Sequence, residues 1–377
     1  MSESGDSARR RSRRAVLATA GTGVAALAGC LGGSGGSGSG DGATTGTVDS
    51  AQPFRNKTLR FSTWSGTNAT VFQEEIKPAY EEETGGTLEI VPGWSEILAK
   101  IRAAPSDDPP YDLTVTGDRQ HYLGVQEGLW EEIDVGSLDN ADSIKESLLR
   151  EDAISVPVSY GVMCHAYDQA AVDWNPGPWA DLTSEAEDVA LPGSYWSNAM
   201  QMGSIVSQEM PFDEELYSPE GHDAVFETLR EIDTAKFYTG AQDLWTAISE
   251  GVATTGQYFF AYSKKKQEST DAYDIGLSVP EKTTGYVDDY HAVRGTERLE
   301  MGKDFLDFLL TPEMQSTYAQ NFNMGMAIDD VDYPTATTEN VPLSNEALEN
   351  VSFMQWADVA EYSETLTERF NELKTSV

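Results

Sequence analysis

The spacing of hydrophobic and polar residues from about residue 59 onward predicts alternating strands and helices. Residues 59–63, 87–91 and 111–115 have the short apolar pattern of buried strands. Between them, hydrophobic residues recur at helical spacing over residues 71–80 and again over residues 94–104. Because strands that alternate with helices at this pace form parallel sheets covered by helices, the sequence predicts an α/β fold.

Residues 1–29 have the pattern of an export signal. Arg13 and Arg14 precede an apolar run of 15 residues, shorter than the roughly 20 residues that a membrane-spanning helix needs. A basic region, a short apolar region and small residues before a cut site are typical of a signal peptide, and the paired arginines are typical of twin-arginine export. Residues 27–30, Leu-Ala-Gly-Cys, resemble a lipobox at which a lipoprotein is cut and its cysteine, here Cys30, is acylated. The alternative is an N-terminal anchor that is never cut.

Residues 30–53 are predicted to form a tether. The segment from Leu31 to Ser50 is mostly Gly, Ser, Thr and Asp, which bury too little apolar surface to fold. The folded part is therefore expected to begin near Phe54. With a lipid on Cys30, it would be held at the extracellular face of the cytoplasmic membrane.

The net charge is strongly negative, at −38 for the whole chain. Removing residues 1–29 takes away five arginines and two acids, which leaves 20 basic and 61 acidic residues and a charge of −41. Acidic surfaces keep proteins hydrated in molar salt, where a Debye length of about 3 Å nearly abolishes long-range steering of ligands. The charge therefore indicates a halophilic protein. It also argues against nucleic-acid binding, since the sequence has no basic stripe.

The sequence offers little support for an enzyme, a metal or a cofactor. The histidines lack the spacing of a zinc site, and no GxxxxGKS/T loop occurs. The GxSxG pattern occurs only at residues 32–36, inside the glycine- and serine-rich segment, where no strand-to-helix elbow is predicted. Cys164 and His165 are neighbours on a predicted strand, where adjacent side chains point to opposite faces, so Cys164 is expected to be a small buried residue. Asp118 and Asp289 together could do acid–base chemistry. A secreted hydrolase or a sensor lipoprotein therefore stays open as an alternative class.

A set of short motifs runs in a fixed order from about residue 59 to residue 328. The motifs are YDLTVT, GLW, VPVSYG, WADL, VALPG, VPE and FLDFLL, which begin at Tyr111, Gly128, Val156, Trp179, Val189, Val279 and Phe305. In this order they resemble the type II periplasmic binding proteins, which are the extracellular solute-binding proteins of ABC transporters. The spermidine/putrescine-binding subgroup is the most similar, and the N-terminal signals resemble those of haloarchaeal-type lipoproteins.

The resemblance implies a two-lobed fold. Each lobe would be a mainly parallel sheet flanked by helices, with hinge crossovers between the lobes. Lobe I is predicted at residues 54–157 and 291–340, and lobe II at residues 158–290 and 341–377. The implied function is that of a monomer that captures a small polar, amine-containing, polyamine-like solute between the lobes and delivers it to a membrane permease.

Two predicted loops are candidates for ligand binding, because ligands of parallel sheets bind outside the carboxyl ends of the strands. One loop carries Trp64 and Ser65 after the first strand, and the other carries Asp118 and Arg119 after the third. A tryptophan face suits a cation or a flat ring. Arg119 either forks a carboxylate or phosphate in the cleft or points to solvent as a surface ion-pair partner.

The resemblance adds candidate ligand residues in the second half of the chain. Phe259 and Asp289 match an aromatic position and a carboxylate position of the polyamine binders, and Tyr290 adjoins Asp289. Where those proteins have paired acids after the Leu-Pro segment, this chain has Tyr195 and Trp196 in an aromatic and polar stretch.

The central expectation is that Trp64 and Asp289 face each other across the ligand. The chain departs from the polyamine binders at Gly117 and Arg119, which stand where those proteins have a serine and a tyrosine. A thiamine-like, amino-acid-derived or phosphonate solute therefore stays open beside a polyamine.

Overall fold

The computed structural model describes residues 52–376, apart from residues 151, 153, 195, 208–212 and 272. The predicted signal, the lipidation site Cys30 and almost all of the predicted tether lie outside the described residues. Within the described part, no helix combines the length and the apolar character that crossing a membrane requires.

Strands and helices alternate along most of the described chain. The strands are β1 (Thr58–Trp64), β2 (Thr87–Gly93), β3 (Leu113–Thr116), β4 (Trp130–Glu131), β5 (Val156–Asp168), β6 (Val189–Pro192), β7 (Thr234–Tyr238), β8 (Thr255–Phe259), β9 (Ile275–Ser278), β10 (Thr283–Val293), β11 (Gly325–Met326) and β12 (Val351–Phe353). The helices are α1 (Thr67–Val71), α2 (Lys77–Thr84), α3 (Glu96–Ala103), α4 (Asp118–Gln126), α5 (Asp181–Ser184), α6 (Trp196–Ser207), α7 (Pro219–Glu231), α8 (Ala241–Ser249), α9 (Phe260–Ser269), α10 (Leu299–Leu309), α11 (Pro312–Asn321), α12 (Thr335–Asn340), α13 (Asn345–Leu348), α14 (Trp356–Val359) and α15 (Ser363–Thr375). Short 3-10 turns lie at Val135–Ser137, Ala141–Ser143, Glu146–Leu148, Glu214–Tyr217 and Ala360–Tyr362.

One mixed sheet runs through these strands in the order β2-β1-β3-β10-β5-β8-β6-β7. At one end β1 is parallel to β2 and β3, and at the other end β6 is parallel to β7 and β8. The long strand β10 is antiparallel to both β3 and β5, so it joins the two parallel parts. The three strands predicted first fall in β1, β2 and β3, and the α/β class is as predicted.

The first predicted helix is interrupted by a proline. Helical spacing over residues 71–80 corresponds to the end of α1, a π-helical segment at Phe72–Ile76, and the start of α2. Pro78 lies in the first turn of α2, where its missing N–H is tolerated, so the regular helix restarts there. Gly85, with φ of 68°, ends the helix in the left-handed conformation that suits glycine.

The first hydrophobic core supports the carboxyl ends of β1 and β3. Its centre is aromatic: the ring of Phe61 lies 4.9 Å from Phe72, 5.4 Å from Phe305 and 5.5 Å from Tyr290, measured between centroids. Such contacts each contribute about 0.5–1.5 kcal/mol beyond the buried area. The strand ends above this core are therefore held on a rigid base.

The second core lies around α6 and α7, and it includes the fully buried residues Trp179 and Phe226. Leu366 and Phe370 of α15 also belong to it, whereas Val341 belongs to the first core. The C-terminal segment thus contributes to both cores, and the predicted lobe boundaries stay predictions.

The strand β5 passes from one core to the other. Its first half pairs with β10 and its second half pairs with β8. Cys164 lies in the first core, where burial raises the pKa of its thiol to about 12. The ring of His165 lies 4.5 Å from that of Trp179 on the other side, and burial lowers the pKa of His165 to about 4. As predicted, the neighbouring Cys164 and His165 side chains face apart and Cys164 is buried.

Candidate functional site

The two predicted loops lie at the same edge of the sheet. β1 ends at Trp64 and β3 ends at Thr116, and these parallel strands are paired. β10 runs antiparallel beside β3, with Asp289 opposite Thr116. Asp118 is the first residue of α4, where a carboxylate is favoured by the helix dipole. The chain therefore brings Trp64, Asp118 and Asp289 to one edge.

A cavity of about 640 Å³ opens beside this edge, and we call it the acidic cavity. It lies between α4, the segment 147–152, Val287 of β10 and the segment 351–358. Its volume is in the usual range for small-molecule sites, about 300–1,000 Å³. The charged groups among its described lining residues are Asp118, Asp152, Asp213, Asp358 and Arg150. The aromatic ones, apart from His121, are Tyr122, Tyr217, Phe353 and Trp356.

Arg150 joins two carboxylates at one end of the acidic cavity. Its Nε and Nη2 atoms donate to Oδ2 of Asp289 at 3.0 Å and 2.7 Å, and Nη2 also donates to Oδ1 of Asp118. The hydroxyl of Ser155 donates to the other oxygen of Asp289 at 2.9 Å. Burial lowers the pKa of Arg150, but the Asp289 and Asp118 carboxylates outweigh this and raise it above its ordinary value.

The neighbouring acid, Asp288, is held by neutral donors instead. The indole Nε1 of Trp64 donates to its Oδ1 at 2.8 Å, and the hydroxyl of Ser159 donates to its Oδ2 at 2.9 Å. Asp288 is buried, and burial raises the pKa of Asp288 to about 7. Its carboxyl therefore changes charge near neutral pH.

An aromatic cluster lies over Asp288. The rings of Trp64 and Trp94 are stacked, with centroids 5.7 Å apart and planes 17° apart. Trp94 follows β2 and is 46% exposed, and its ring lies 6.3 Å from that of Tyr262 in α9. The amide of Asn68 donates to the Tyr262 hydroxyl at 3.1 Å. This cluster joins the loops after β1 and β2 to the start of α9.

Two histidines lie between the sheet and the acidic cavity. His121 lines the cavity, and its Nε2 atom lies 3.0 Å from Oδ2 of Asp152. The ring of His291 is stacked between His121 and Trp130, at centroid distances of 5.2 Å and 4.3 Å. Burial, followed by the charges of His121 and Arg150, lowers the pKa of His291 well below its ordinary value. His291 is therefore neutral and serves as a packing residue.

The predicted pairing of Trp64 with Asp289 needs correction. Trp64 is hydrogen bonded to Asp288, whereas Asp289 is bonded to Arg150 and Ser155. The reason is the alternation of side chains along β10, which sends neighbouring residues to opposite faces. Asp289 is fully buried and reaches the acidic cavity only through Arg150.

The other predicted site residues, Ser65, Arg119 and Trp196, differ in how exposed they are and in what they contact. The hydroxyl of Ser65 donates a hydrogen bond to the carbonyl oxygen of Gly93 at 3.4 Å. Arg119 is exposed, and its guanidinium lies 5.7 Å from the ring centre of Trp356 at the rim of the acidic cavity. Trp196 is 6% exposed and lies behind Trp356, with ring centroids 5.4 Å apart.

Of the remaining predictions, Phe259 is partly buried and its ring lies 5.1 Å from that of Tyr286 on β10. Tyr290 is 1% exposed and stacked on Phe61 in the first core, so it packs beneath the site instead of lining it. Tyr195 is outside the described residues.

Sequence reasoning missed four residues of this region. Trp94 follows a parallel strand as Trp64 does, so the rule that selected Trp64 should also have selected Trp94. Asp288 adjoins Asp289, a predicted ligand residue, so it should have been considered together with Asp289. Arg150 and Trp356 carry no local signal, since Arg150 meets its partners across 32 and 139 positions of the chain.

A search of the described residues finds no group of three or more His, Cys, Asp or Glu side chains that could hold a metal ion.

Comparison with known families gives one match. The profile of the family described as bacterial extracellular solute-binding protein matches residues 75–343. No curated protein sequence matches the chain.

Solved structures resemble the described fold over most of its length. An ABC transporter protein from Clostridium perfringens has a TM-score of 0.69 and 18% identity, and the alignment covers 84% of this chain and 99% of that one. An ABC transporter substrate-binding protein from Bradyrhizobium japonicum has a TM-score of 0.70, 17% identity and coverages of 84% and 99%. A spermidine/putrescine ABC transporter substrate-binding protein from Streptococcus pneumoniae has a TM-score of 0.69, 15% identity and the same coverages, 84% and 99%. The predicted fold, that of two-lobed periplasmic binding proteins, is confirmed.

Proposed function

Because the chain belongs to the bacterial extracellular solute-binding protein family, we propose that its solute is an amine-containing cation of polyamine-like chemistry. As the solute-binding protein of an ABC transporter, it binds a small solute for delivery to a membrane permease, and it is not an enzyme. The observation that carries the proposal is the acidic cavity, where the described lining has four aspartates and one arginine.

The acidic cavity suits an amine for two physical reasons. Its carboxylates accept charge-assisted hydrogen bonds, which are roughly twice as strong as neutral ones. Asp213 accepts a hydrogen bond from the Ser352 hydroxyl at 2.6 Å. Burial raises its pKa above the ordinary value, and a bound ammonium group would oppose that rise by favouring the carboxylate. Tyr217 also lines the cavity, and an ammonium group over its ring face would be attracted by the negative electrostatic potential there, whereas the Trp356 ring already lies beneath the Arg119 guanidinium.

The aromatic cluster of Trp64, Trp94 and Tyr262 lies over Asp288 and does not line the acidic cavity, so it is a separate candidate surface for a cation or a flat ring. Trp64 and Phe259, both predicted ligand residues, belong to or adjoin this cluster. The pneumococcal neighbour is a spermidine/putrescine binder, which agrees with the proposal, although at 15% identity the likeness concerns the fold alone.

A second candidate is an amino-acid-derived solute that carries both an amine and a carboxylate. The position of Arg119 at the rim, over Trp356, favours it. The amine of such a solute would bind the aspartates of the acidic cavity, and Arg119 would donate two hydrogen bonds to its carboxylate.

We test the amine proposal by thermal unfolding and calorimetric titration in molar salt. The panel contains putrescine, spermidine, thiamine, amino acids and phosphonates. A true solute at about 100 times its Kd adds about 2.7 kcal/mol to the free energy of unfolding. The Asp213→Asn variant should weaken amine binding by about tenfold or more, since hydrogen bonds to charged groups contribute about 1.5–3 kcal/mol.

Asp243→Asn is the matched control, because Asp243 pairs with Lys236 on the surface, away from the acidic cavity. It should leave amine binding unchanged. If the wild-type protein responds to none of the amines, the proposal is wrong, and recovery of a chemically altered solute would point to an enzyme.

The pattern of residues 1–53 supports a further part of the proposal, in which a monomer is exported by the twin-arginine pathway and held at the outer face of the cytoplasmic membrane by a lipid on Cys30. A Cys30→Ser variant should then appear in the medium, whereas Cys164→Ser should stay with the membranes. Release of both proteins, or of neither, would contradict the anchor.

A further inference from the structure

The arrangement of Arg150, Asp118 and Asp289 places a cation of the protein where a cation of the solute could bind. Asp118 and Arg150 line the acidic cavity, whereas Asp289 is fully buried behind Arg150. The guanidinium donates to both carboxylates at once. Without it, two acids would stand together at the end of the cavity, with Ser155 as a further polar group.

We propose that Arg150 is a specificity-determining residue that reduces by one the number of positive charges that the acidic cavity accepts. Its guanidinium acts as an internal counter-ion for Asp118 and Asp289, so a solute ammonium cannot use them. The inference rests on the proposed function, because it concerns the charge of the amine solute.

The repulsion between Asp118 and Asp289 explains why a cation lies between them. Two carboxylates that share a site repel each other, which raises the pKa of one of them, whereas a nearby cation favours their charged forms. Arg150 supplies that cation from within the chain, and its side chain is only 14% exposed. Basic residues are scarce in this protein, with 25 against 63 acids, so a buried arginine between two acids is an unusual use of positive charge.

A purely structural role for Arg150 makes a different prediction. If the arginine only ties the segment 147–152 to α4 and β10, its removal lowers stability and creates no affinity for cations. If it fills a cation subsite, its removal leaves a site that small cations can occupy. The two roles are therefore separated by cation binding, which a structural tie would not change.

The first measurement uses Arg150→Ala with ethylammonium and ethylguanidinium at constant ionic strength. Both cations should raise the melting temperature of Arg150→Ala more than that of the wild type. Arg102→Ala is the matched control, since Arg102 makes a comparable pair with Glu127 on the surface. The control should behave as the wild type does. Absence of any rise specific to Arg150→Ala would overturn the inference.

The second measurement compares amines of increasing charge: butylamine, putrescine, spermidine and spermine. In Arg150→Ala, the affinity for the amine with one more charge than the wild type prefers should rise at least about tenfold relative to the preferred one. An unchanged ratio of affinities would overturn the inference. If the wild type binds no amine, the proposed function fails, while the ethylammonium measurement still decides the role of Arg150.

A second variant covers the case in which Arg150→Ala does not fold. The double variant Arg150→Met with Asp118→Asn leaves one buried carboxylate, Asp289, and removes the repulsion. Ethylammonium should raise its melting temperature more than that of the wild type. A double variant that does not respond to ethylammonium contradicts the proposal.

Discussion

Asp288 and Asp289 are neighbours on β10, yet the protein compensates their charges in different ways. Asp289 is paired with Arg150 and bonded by Ser155. Asp288, on the opposite face, has the neutral donors of Trp64 and Ser159, and its pKa rises to about 7. A buried carboxylate with a cation stays charged, whereas one with neutral donors becomes a group that titrates near neutral pH.

The difference shows that identical residues in adjacent positions can serve distinct purposes. On the Asp289 face, the carboxylate has a cationic partner, Arg150, which sets what the acidic cavity accepts. On the Asp288 face, charge depends on pH and on the indole of Trp64. Replacing Arg150 and Trp64 in turn therefore tests the difference between the two faces of β10.

The largest effect is expected for Arg150→Ala. This change leaves Asp118 and Asp289 buried without their cation, and breaking such a pair costs about 3–5 kcal/mol. Denaturant unfolding in molar salt measures the loss. The exposed pair of Arg102 with Glu127 gives the reference, because Arg102→Ala should cost at most about 1 kcal/mol. Equal losses in both variants would show that the Arg150 pair is no stronger than a surface pair.

The next effect concerns pH and Asp288. Its folded pKa of about 7 is above the unfolded value of about 3.9, so the folded state holds more protons between these values. The contribution of Asp288 to stability is therefore greatest below about pH 4 and falls as pH rises to about 7, by up to about 4 kcal/mol.

Asp288→Asn lacks this titration, so the difference in unfolding free energy between wild type and variant should change over that pH range. Denaturant midpoints at a series of pH values measure it. A difference that is constant from pH 4 to pH 8 would mean that Asp288 keeps an ordinary pKa.

The smallest effect is expected for Trp64→Phe. The change keeps an aromatic ring but removes the N–H that donates to Asp288, and an unsatisfied buried acceptor costs about 1–3 kcal/mol. Trp94→Phe is the control, since Trp94 is stacked on Trp64 but is much more exposed. The loss for Trp64→Phe should grow above pH 7, where Asp288 is ionised. A loss of stability that does not depend on pH would show that Trp64 does not stabilise the ionised form of Asp288.

The fold could be predicted largely from local patterns and ordered motifs. The strands β1, β2 and β3 follow from hydrophobic spacing. The passage of β5 between two cores explains why its residues are buried without a break from Val156 to Ala166. The C-terminal segment was harder, because Val341 and Phe370 join different cores and no local pattern records that.

The site was predicted only in part, for a physical reason. Trp64 is the last residue of β1 and Asp118 follows β3, so position alone predicted that both lie at the carboxyl ends of these strands. Tyr290 was misjudged, because a residue next to Asp289 on a strand faces the other way, into the first core. Arg150 depends on partners far along the chain, and a contact of that kind leaves no trace in spacing or composition.

The place of β10 in the sheet has a consequence for how the chain is made. β10 lies between β3 and β5, and 173 positions separate Thr116 from Asp289. During synthesis β3 emerges early with an open edge, and no neighbour for that edge exists until β10 has left the ribosome. Pairings this distant are slow, because ordering so long a loop precedes the contacts that reward it. The pairing of β3 with β10 is therefore expected to form late in folding, and the last strand to arrive at β3 is the one that carries both acids.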